Sequence, residues 1–336
     1  MSCPICGYKK TFVVAKKFQG FVQGTYFDIY HCNRCYTRFI HVKHIDQALY
    51  DLIYGNNKYG SRNTSGYDRY LRYAKQVKKE KDPLRFLSDE ESSFFPVHWF
   101  FKAKPDGGRS YDLLDVGCGY GYLTYALNSL GHGAVGIDVS AKVIRFAKAH
   151  FGSHFFKADL KSYKSKEGYN KKYDIIIATE LIEHLEKPRE FIEECLRLLK
   201  KDGRIIISTP NMDYYRKRVW GTELPPVHTL WLSRKSFEHL AQEMNVKVEF
   251  VDFHERIGKR ENDLIEFLLS KKEITPLPAV DKQGKPCAGR IKIIESPFRK
   301  AVRKIILSYP VRYAAHKITN LISSEPLTLG VILQKK

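Results

Sequence analysis

The 336-residue sequence lacks any apolar run approaching the roughly 20 residues that cross a bilayer, so no transmembrane helix is predicted. Its opening residues, MSCPICGYKK, lack the apolar core of a secretory signal, and a cytoplasmic protein is expected. Acids are scarce: 37 Asp and Glu stand against 57 Lys and Arg, a formal net charge of +20. That balance favours nucleic acid, anionic lipid or a phosphate-bearing substrate as partner; a basic, solvated surface would give the same number. Internal repeats are missing too, which excludes a solenoid or propeller. Hydrophobic residues make up 43% and charged residues 28%, the balance of a globular domain rather than a disordered chain. Cysteine is sparse at seven, and Cys118, Cys195 and Cys287 are scattered as buried small hydrophobes would be.

The other four cysteines are not scattered. Cys3 and Cys6 form one C-x-x-C pair, Cys32 and Cys35 a second, with the alternating stretch TFVVAKKFQGFVQGTYFDIYHC between them. Paired knuckles around a strand-rich stretch are the pattern of a zinc ribbon, in which four thiolates hold a structural Zn²⁺ and stabilise a unit too small for its own core. His31 and His41 lie nearby and are unnecessary as ligands. Residues 1–45 are thus predicted as the ribbon and 46–108 as a helical linker region.

From Tyr111 strands and helices alternate: YDLLDVG, GAVGIDVS, HFFKADL, YDIIIAT, GRIIIST, VKVEFVDFHE and LTLGVILQKK read as seven strands with helices between them. The expected fold class is α/β, a doubly wound, seven-stranded, Rossmann-like sheet over 109–336. A basic helical insertion is expected at about 257–326. Within it, Phe298, Val302, Ile305 and Tyr309 fall on one helical face and Arg299, Lys300, Arg303 and Lys304 on the other. Residues 297–322 could therefore meet a membrane surface peripherally, or pack on the domain with the basic side solvated.

LLDVGCGYGY runs a buried strand into a turn with Gly117, Gly119 and Gly121, where glycine permits a tight turn and close backbone approach to a ligand. Asp115 precedes the first glycine, Asp138 ends the second strand and Asp159 the third. The third glycine comes one residue too early for the G-x-G-x-x-G of dinucleotide enzymes. Together with IATELIEHL, these motifs resemble class I S-adenosylmethionine-dependent methyltransferases over about 108–255 and the last strand. The resemblance implies S-adenosyl-L-methionine as cofactor. Gly117, Cys118 and Gly119 would hold its methionine end and Asp138 its ribose; Asp159, Val139 and Leu160 would meet the adenosine, with Asp115 and Thr179 beside the same pocket. The intact loop and acids argue against a cofactor fold that has lost its activity.

TELIEHLEKP places Glu180, Glu183 and His184 at the end of the fourth strand, beyond which ligands of such sheets sit. If a helix begins there, the three share a face. They could equally favour a helix dipole, with Glu183 and Lys187 as an ion pair. After STPN, His228 follows Pro225-Pro226. This combination is similar to ubiquinone-pathway and sugar methyltransferases, and also to small-RNA 2′-O-methyltransferases. The second group implies a divalent metal on Glu180, Glu183, His184 and His228 that orients substrate hydroxyls; without metal, His184 or His228 could act as general base. A ribbon ahead of the methyltransferase resembles bacterial enzymes acting on nucleotide sugars and glycan precursors, sugar C-methyltransferases among them. A small-molecule, nucleotide-sugar or lipid-linked glycan acceptor, with O-methylation, is expected; RNA is the alternative, with YYRKRVW (214–220) as its phosphate contact.

Overall fold

Alternation of apolar and polar residues produces the first three strands, β1 (Thr11–Gln19), β2 (Tyr26–Cys32) and β3 (Arg38–Ile40). Helices α1 (Tyr67–Gln76), α2 (Pro83–Glu90) and α3 (Phe95–Ala103) follow. Next come β4 (Asp112–Val116), α4 (Tyr122–Ser129), β5 (Gly133–Asp138), α5 (Ala141–Phe151), β6 (Phe155–Lys157), α6 (Leu160–Glu167), β7 (Tyr173–Thr179), α7 (Pro188–Leu198) and β8 (Leu199–Pro210). The chain continues through the two-residue β9 (Leu230–Trp231), α8 (Arg234–Glu243), β10 (Val246–Phe250), α9 (Pro297–Ile306) and α10 (Tyr309–Ile322), and closes with β11 (Thr328–Lys335). This is a computed structural model; it describes residues 1–41, 67–103, 108–167, 172–214, 218–257, 276–285, 287, 297–322 and 325–336. Residues 46–66 of the expected 46–108 linker region and most of 258–296 in the expected 257–326 insertion lie outside the described residues, as do Tyr215, Arg216 and Lys217 of the expected phosphate contact.

The chain divides into two units. One comprises Leu71–Thr209, Arg234–Arg256 and Thr328–Lys336. Its seven-stranded sheet has the order β10-β11-β8-β7-β4-β5-β6. The pairs β4–β5, β4–β7, β5–β6 and β7–β8 are parallel, and β10–β11 is antiparallel. The central strands read as unbroken apolar runs because both faces are covered: Leu113, Leu114, Ile175, Ile176, Ile177, Ile205, Ile206 and Ile207 are all fully buried. The first strand of the alternation, β4, lies between the second, β5, and the fourth, β7. Strand order therefore reverses at β4, and ligands of such sheets bind beyond the carboxyl ends of the strands at that point.

The other unit comprises Met1–Tyr70, Pro210–Ser233 and Ile257–Leu327. Its sheet has the order β1-β2-β3-β9, so a strand from beyond β8 completes the N-terminal hairpins. Trp231 of β9 is buried with Trp220, Met212, Ile29 and Ile40, and Arg38 sits over its ring at 5.5 Å while donating to the Val219 carbonyl at 3.0 Å. A second cluster joins Phe21 and Val22 to Leu224, Val227, Ala279 and Val280.

Two local expectations change. The segment after β7 does not enter its helix at Glu180; Ile182–His184 is one 3₁₀ turn, and α7 starts at Pro188, whose fixed φ and missing N–H suit a first helical turn. Tyr309 also does not extend the face of Phe298, Val302 and Ile305. Pro310 has no N–H to continue α9, and α10 begins anew at Tyr309. Among the described residues no helix is long and apolar enough to cross a membrane.

Candidate functional site

At the end of β4 the chain turns through three glycines in the left-handed region, at φ +75° for Gly117, +52° for Gly119 and +81° for Gly121. Gly121 has no alternative. A Cβ there would lie 2.6 Å from the Phe155 ring and 2.8 Å from Ala147, so the loop could not settle onto α5 and β6. Gly119 differs, since a Cβ would meet nothing within 4 Å; the backbone there faces open space. The loop is tied to β5 by its own amides: Gly117 and Cys118 both donate to the Ile137 carbonyl, at 2.9 and 3.0 Å. Cys118 turns inward against Ile144, Ala147 and Phe155, and burial pushes its thiol well above the usual range.

Asp138, the last residue of β5, reaches back to the loop. Its Oδ2 accepts from the Gly119 N–H at 3.1 Å and its Oδ1 from the Ser140 N–H at 2.8 Å. Burial raises its carboxyl above the ordinary value, and these two bonds oppose the rise. The carboxylate is thus fixed in direction while half-buried, with the exposed Val139 next in the chain. Asp115 is buried completely. Thr124 Oγ1 donates to its Oδ2 at 2.7 Å, yet burial, with a smaller push from the Asp138 charge, lifts its carboxyl to about 7. Asp159 is exposed: its Oδ1 accepts from the Ser162 N–H at 2.6 Å, which turns the chain into α6 and holds the carboxyl below its usual value. Leu160 is buried at the start of that helix, and Thr179 is half-buried at the end of β7.

Beyond Thr179, Glu180 takes a left-handed φ of +50°, a strained conformation for a residue with a Cβ. Its N–H donates to the Ser208 carbonyl of β8 at 2.9 Å, so the turn is pinned where the two strands end. Glu183 is fully buried and accepts from Thr209 Oγ1 at 3.1 Å; burial and the Glu180 charge raise its carboxyl well above the usual range. His184 follows on the same turn, its N–H bonded to the Leu181 carbonyl at 3.0 Å. The structure therefore brings Glu180, Glu183 and His184 together at the carboxyl edge of the sheet through a 3₁₀ turn rather than a helix face. His228 belongs to the other unit, where it is buried beside Thr229, whose carbonyl accepts from the Ile40 N–H at 3.0 Å.

The four N-terminal cysteines form one cluster. All are buried and free of disulfides, and their sulfurs lie within 4.8 Å of one another. Cys3 and Cys35 are 3.5 Å apart, as are Cys6 and Cys32; a tetrahedron of sulfurs about 2.3 Å from zinc has edges of about 3.8 Å. The two knuckles repeat one geometry. In the first, the Cys3 N–H donates to the Tyr8 carbonyl at 3.0 Å and the Gly7 N–H to the Cys3 carbonyl at 2.9 Å; in the second, Cys32 donates to Thr37 at 3.0 Å and Tyr36 to Cys32 at 2.8 Å. Gly7 and Tyr36 fill matching left-handed positions, at φ +66° and +58°. The Cys3–Cys35 contact shares one proton between two sulfurs: it lowers the Cys35 thiol, with help from Thr37, and raises that of Cys3, while burial raises Cys6. This donor set fits a tetrahedral ion.

Sequence reasoning missed the supporting residues. Thr124 and Thr209 hold Asp115 and Glu183 through hydroxyls, too common at helix starts and strand ends to stand out, and Ser140 holds Asp138 through a backbone N–H that any residue but proline supplies. The parallel between C-P-I-C-G and C-N-R-C-Y would have flagged Tyr36 as a residue forced into a glycine's position.

A family profile described as a methyltransferase domain matches residues 67–250. The ubiquinone biosynthesis O-methyltransferase of Glaesserella parasuis serovar 5 is 29% identical over 150 residues, 40% of this chain and 64% of that protein. The protein of the same name from Pelagibacter ubique is 39% identical over 104 residues, 31% of this chain and 43% of that one. The chain thus spans less than two thirds of the length of these relatives. Among solved structures, a SAM dependent methyltransferase from Archaeoglobus fulgidus aligns with a TM-score of 0.42 at 19% identity, covering 75% of this chain and 99% of the other.

Proposed function

Because the chain belongs to the methyltransferase-domain family, in its class I, S-adenosylmethionine-dependent form, we propose that it transfers the methyl group of S-adenosylmethionine to a hydroxyl of a small molecule, a nucleotide sugar or a lipid-linked glycan. The Asp138 carboxylate carries this reading. It is aimed by the Gly119 and Ser140 amides, beside Gly119, whose backbone faces open space, as a group that accepts both hydroxyls of a ribose must be. Gly117, Cys118 and Gly119 supply the loop; Val139 and Leu160 flank the adenosine, with Asp159 at its edge. The curated relatives are named as O-methyltransferases, which supports oxygen as the acceptor atom.

Held by this loop and Asp138, S-adenosylmethionine would supply an electrophilic methyl group for in-line displacement by the acceptor oxygen, with neutral S-adenosylhomocysteine as leaving group. The hydroxyl proton passes to a base, and His184 or His228 is suited to take it. Holding the two reactants in line supplies much of the acceleration. Glu180, Glu183 and His184 on one turn favour a second reading, in which they and His228 hold a divalent cation that lowers the pKa of the hydroxyl. An RNA end with neighbouring hydroxyls would then be the acceptor. Cys3, Cys6, Cys32 and Cys35 are assigned a structural zinc.

Calorimetric titration with S-adenosylmethionine tests the main reading. Asp138→Ala removes a charge-assisted acceptor of the kind contributing about 1.5–3 kcal/mol per bond, so affinity should fall roughly tenfold to a few hundredfold with the circular dichroism unchanged. Equal affinity in wild type and variant overturns it. Metal analysis separates the second reading: an ion beyond the ribbon zinc, lost in both Glu180→Ala and His228→Ala, supports it, and one zinc in every form counts against it.

A further inference from the structure

The helix α10 is built inside out. Arg312, Ala315, His316 and Thr319 are the buried positions among its described side chains, and their spacing of three and four residues puts them on one face. The rest of its circumference carries Val311, Tyr313 and Ile318 on the flanks and Leu321 with Lys317 opposite the buried side, all exposed, Leu321 at 86%. The preceding helix continues the pattern: Val302 and Ile305 are exposed beside the exposed Lys304, Ile305 at 64%, and Tyr309 stands out between the helices. A surface helix ordinarily shows water its polar side. A set of outward aliphatic and aromatic side chains this dense marks a surface that another phase or molecule covers.

Charge selects the occupant. Residues 297–322 contain six Lys or Arg and no Asp or Glu. A second copy docked through the same face would set these cations against one another with no carboxylate to receive them. Nucleic acid would satisfy the cations but offer nothing to Ile305, Ile318 and Leu321, since base stacking uses aromatic rings. An anionic bilayer meets both demands: lipid phosphates for the Lys and Arg, and the acyl boundary for the aliphatic side chains. Tyr309 and Tyr313, with ring centroids 6.1 Å apart, have the amphipathic rings that settle at headgroup level. We propose that α9 and α10 lie on the surface of an anionic phospholipid bilayer, with Ile305 and Leu321 inserted at the headgroup boundary. Such binding would bring the enzyme to a lipid-linked acceptor, and neither property depends on the other.

Vesicle flotation of the full chain tests this, using phosphatidylcholine vesicles with and without phosphatidylglycerol and with gel filtration as control. The protein should float with the mixed vesicles only. Ile305→Asp with Leu321→Asp, and separately Lys304→Glu with Lys317→Glu, should each weaken partitioning by about tenfold or more while leaving elution unchanged, all four side chains being exposed. Failure of the wild type to float overturns the proposal. So does undiminished flotation of the aspartate pair, which would reduce the effect to charge alone. A wild-type dimer that this pair converts to monomer, with flotation unchanged, overturns it in favour of a second copy.

Discussion

Asp115→Asn isolates the cost of burying an acid at the head of the glycine loop. The carboxyl rises from 3.8 to about 7, chiefly through burial and in spite of the Thr124 hydrogen bond. Below pH 3.8 the folded and unfolded chains both keep the proton, and the acid costs folding nothing. As pH climbs toward about 7, the unfolded chain gives up its proton and the folded chain holds on, so stability is lost progressively. Above about 7 both are ionised and the loss levels off at ~4 kcal/mol. Asparagine has no proton to lose. Its amide can accept from Thr124, and whatever its own NH₂ costs is the same at every pH. The stability of the variant relative to wild type should therefore rise by ~2 kcal/mol between about pH 5.5 and about pH 8. Urea unfolding by far-ultraviolet circular dichroism at a series of pH values, without cofactor, measures that difference. Parallel stability profiles for the two proteins would refute the reasoning.

Metal analysis on protein purified without chelator should find zinc bound at the N-terminal cysteines, and Cys32→Ser should lose it and loosen the ribbon, read as faster amide exchange in β2 and β3. Gly121→Ala combines a left-handed alanine with a 2.6 Å approach to Phe155, so the denaturation midpoint should fall by the equivalent of roughly 2–5 kcal/mol; an unchanged midpoint would contradict the packing. Thr124→Val, which deletes the hydroxyl bond to Asp115, should push that acid's titration still higher, read from the same pH series as the asparagine variant.

Strands whose pattern is set by burial on both faces were legible one by one. YDIIIAT became Tyr173–Thr179 without change, because an apolar run bounded by polar residues has one natural length. The loop residues Gly117, Gly119, Gly121 and Asp138 were legible because their chemistry is local: a turn and the acid that ends the adjacent strand. What escaped depends on distant partners. Leu230 and Trp231 look like loop residues until Arg38 and Phe39 are set beside them. Glu180, Glu183 and His184 were expected on a helix, and Pro188, four residues after His184, decided otherwise. The polarity of α10 looks ordinary in sequence, since only its packing tells which face is inward.

The pairing of β3 with β9 has a consequence during synthesis. Phe39 waits for Leu230, about 190 residues later, before its sheet has a fourth strand. At about 5–20 residues per second, a ribosome needs roughly 10–40 s to deliver that partner. β3 thus emerges long before its final neighbour. Cys3, Cys6, Cys32 and Cys35 lie within 33 residues of one another, so a metal ion bound there would clamp the nascent hairpin long before its core arrives.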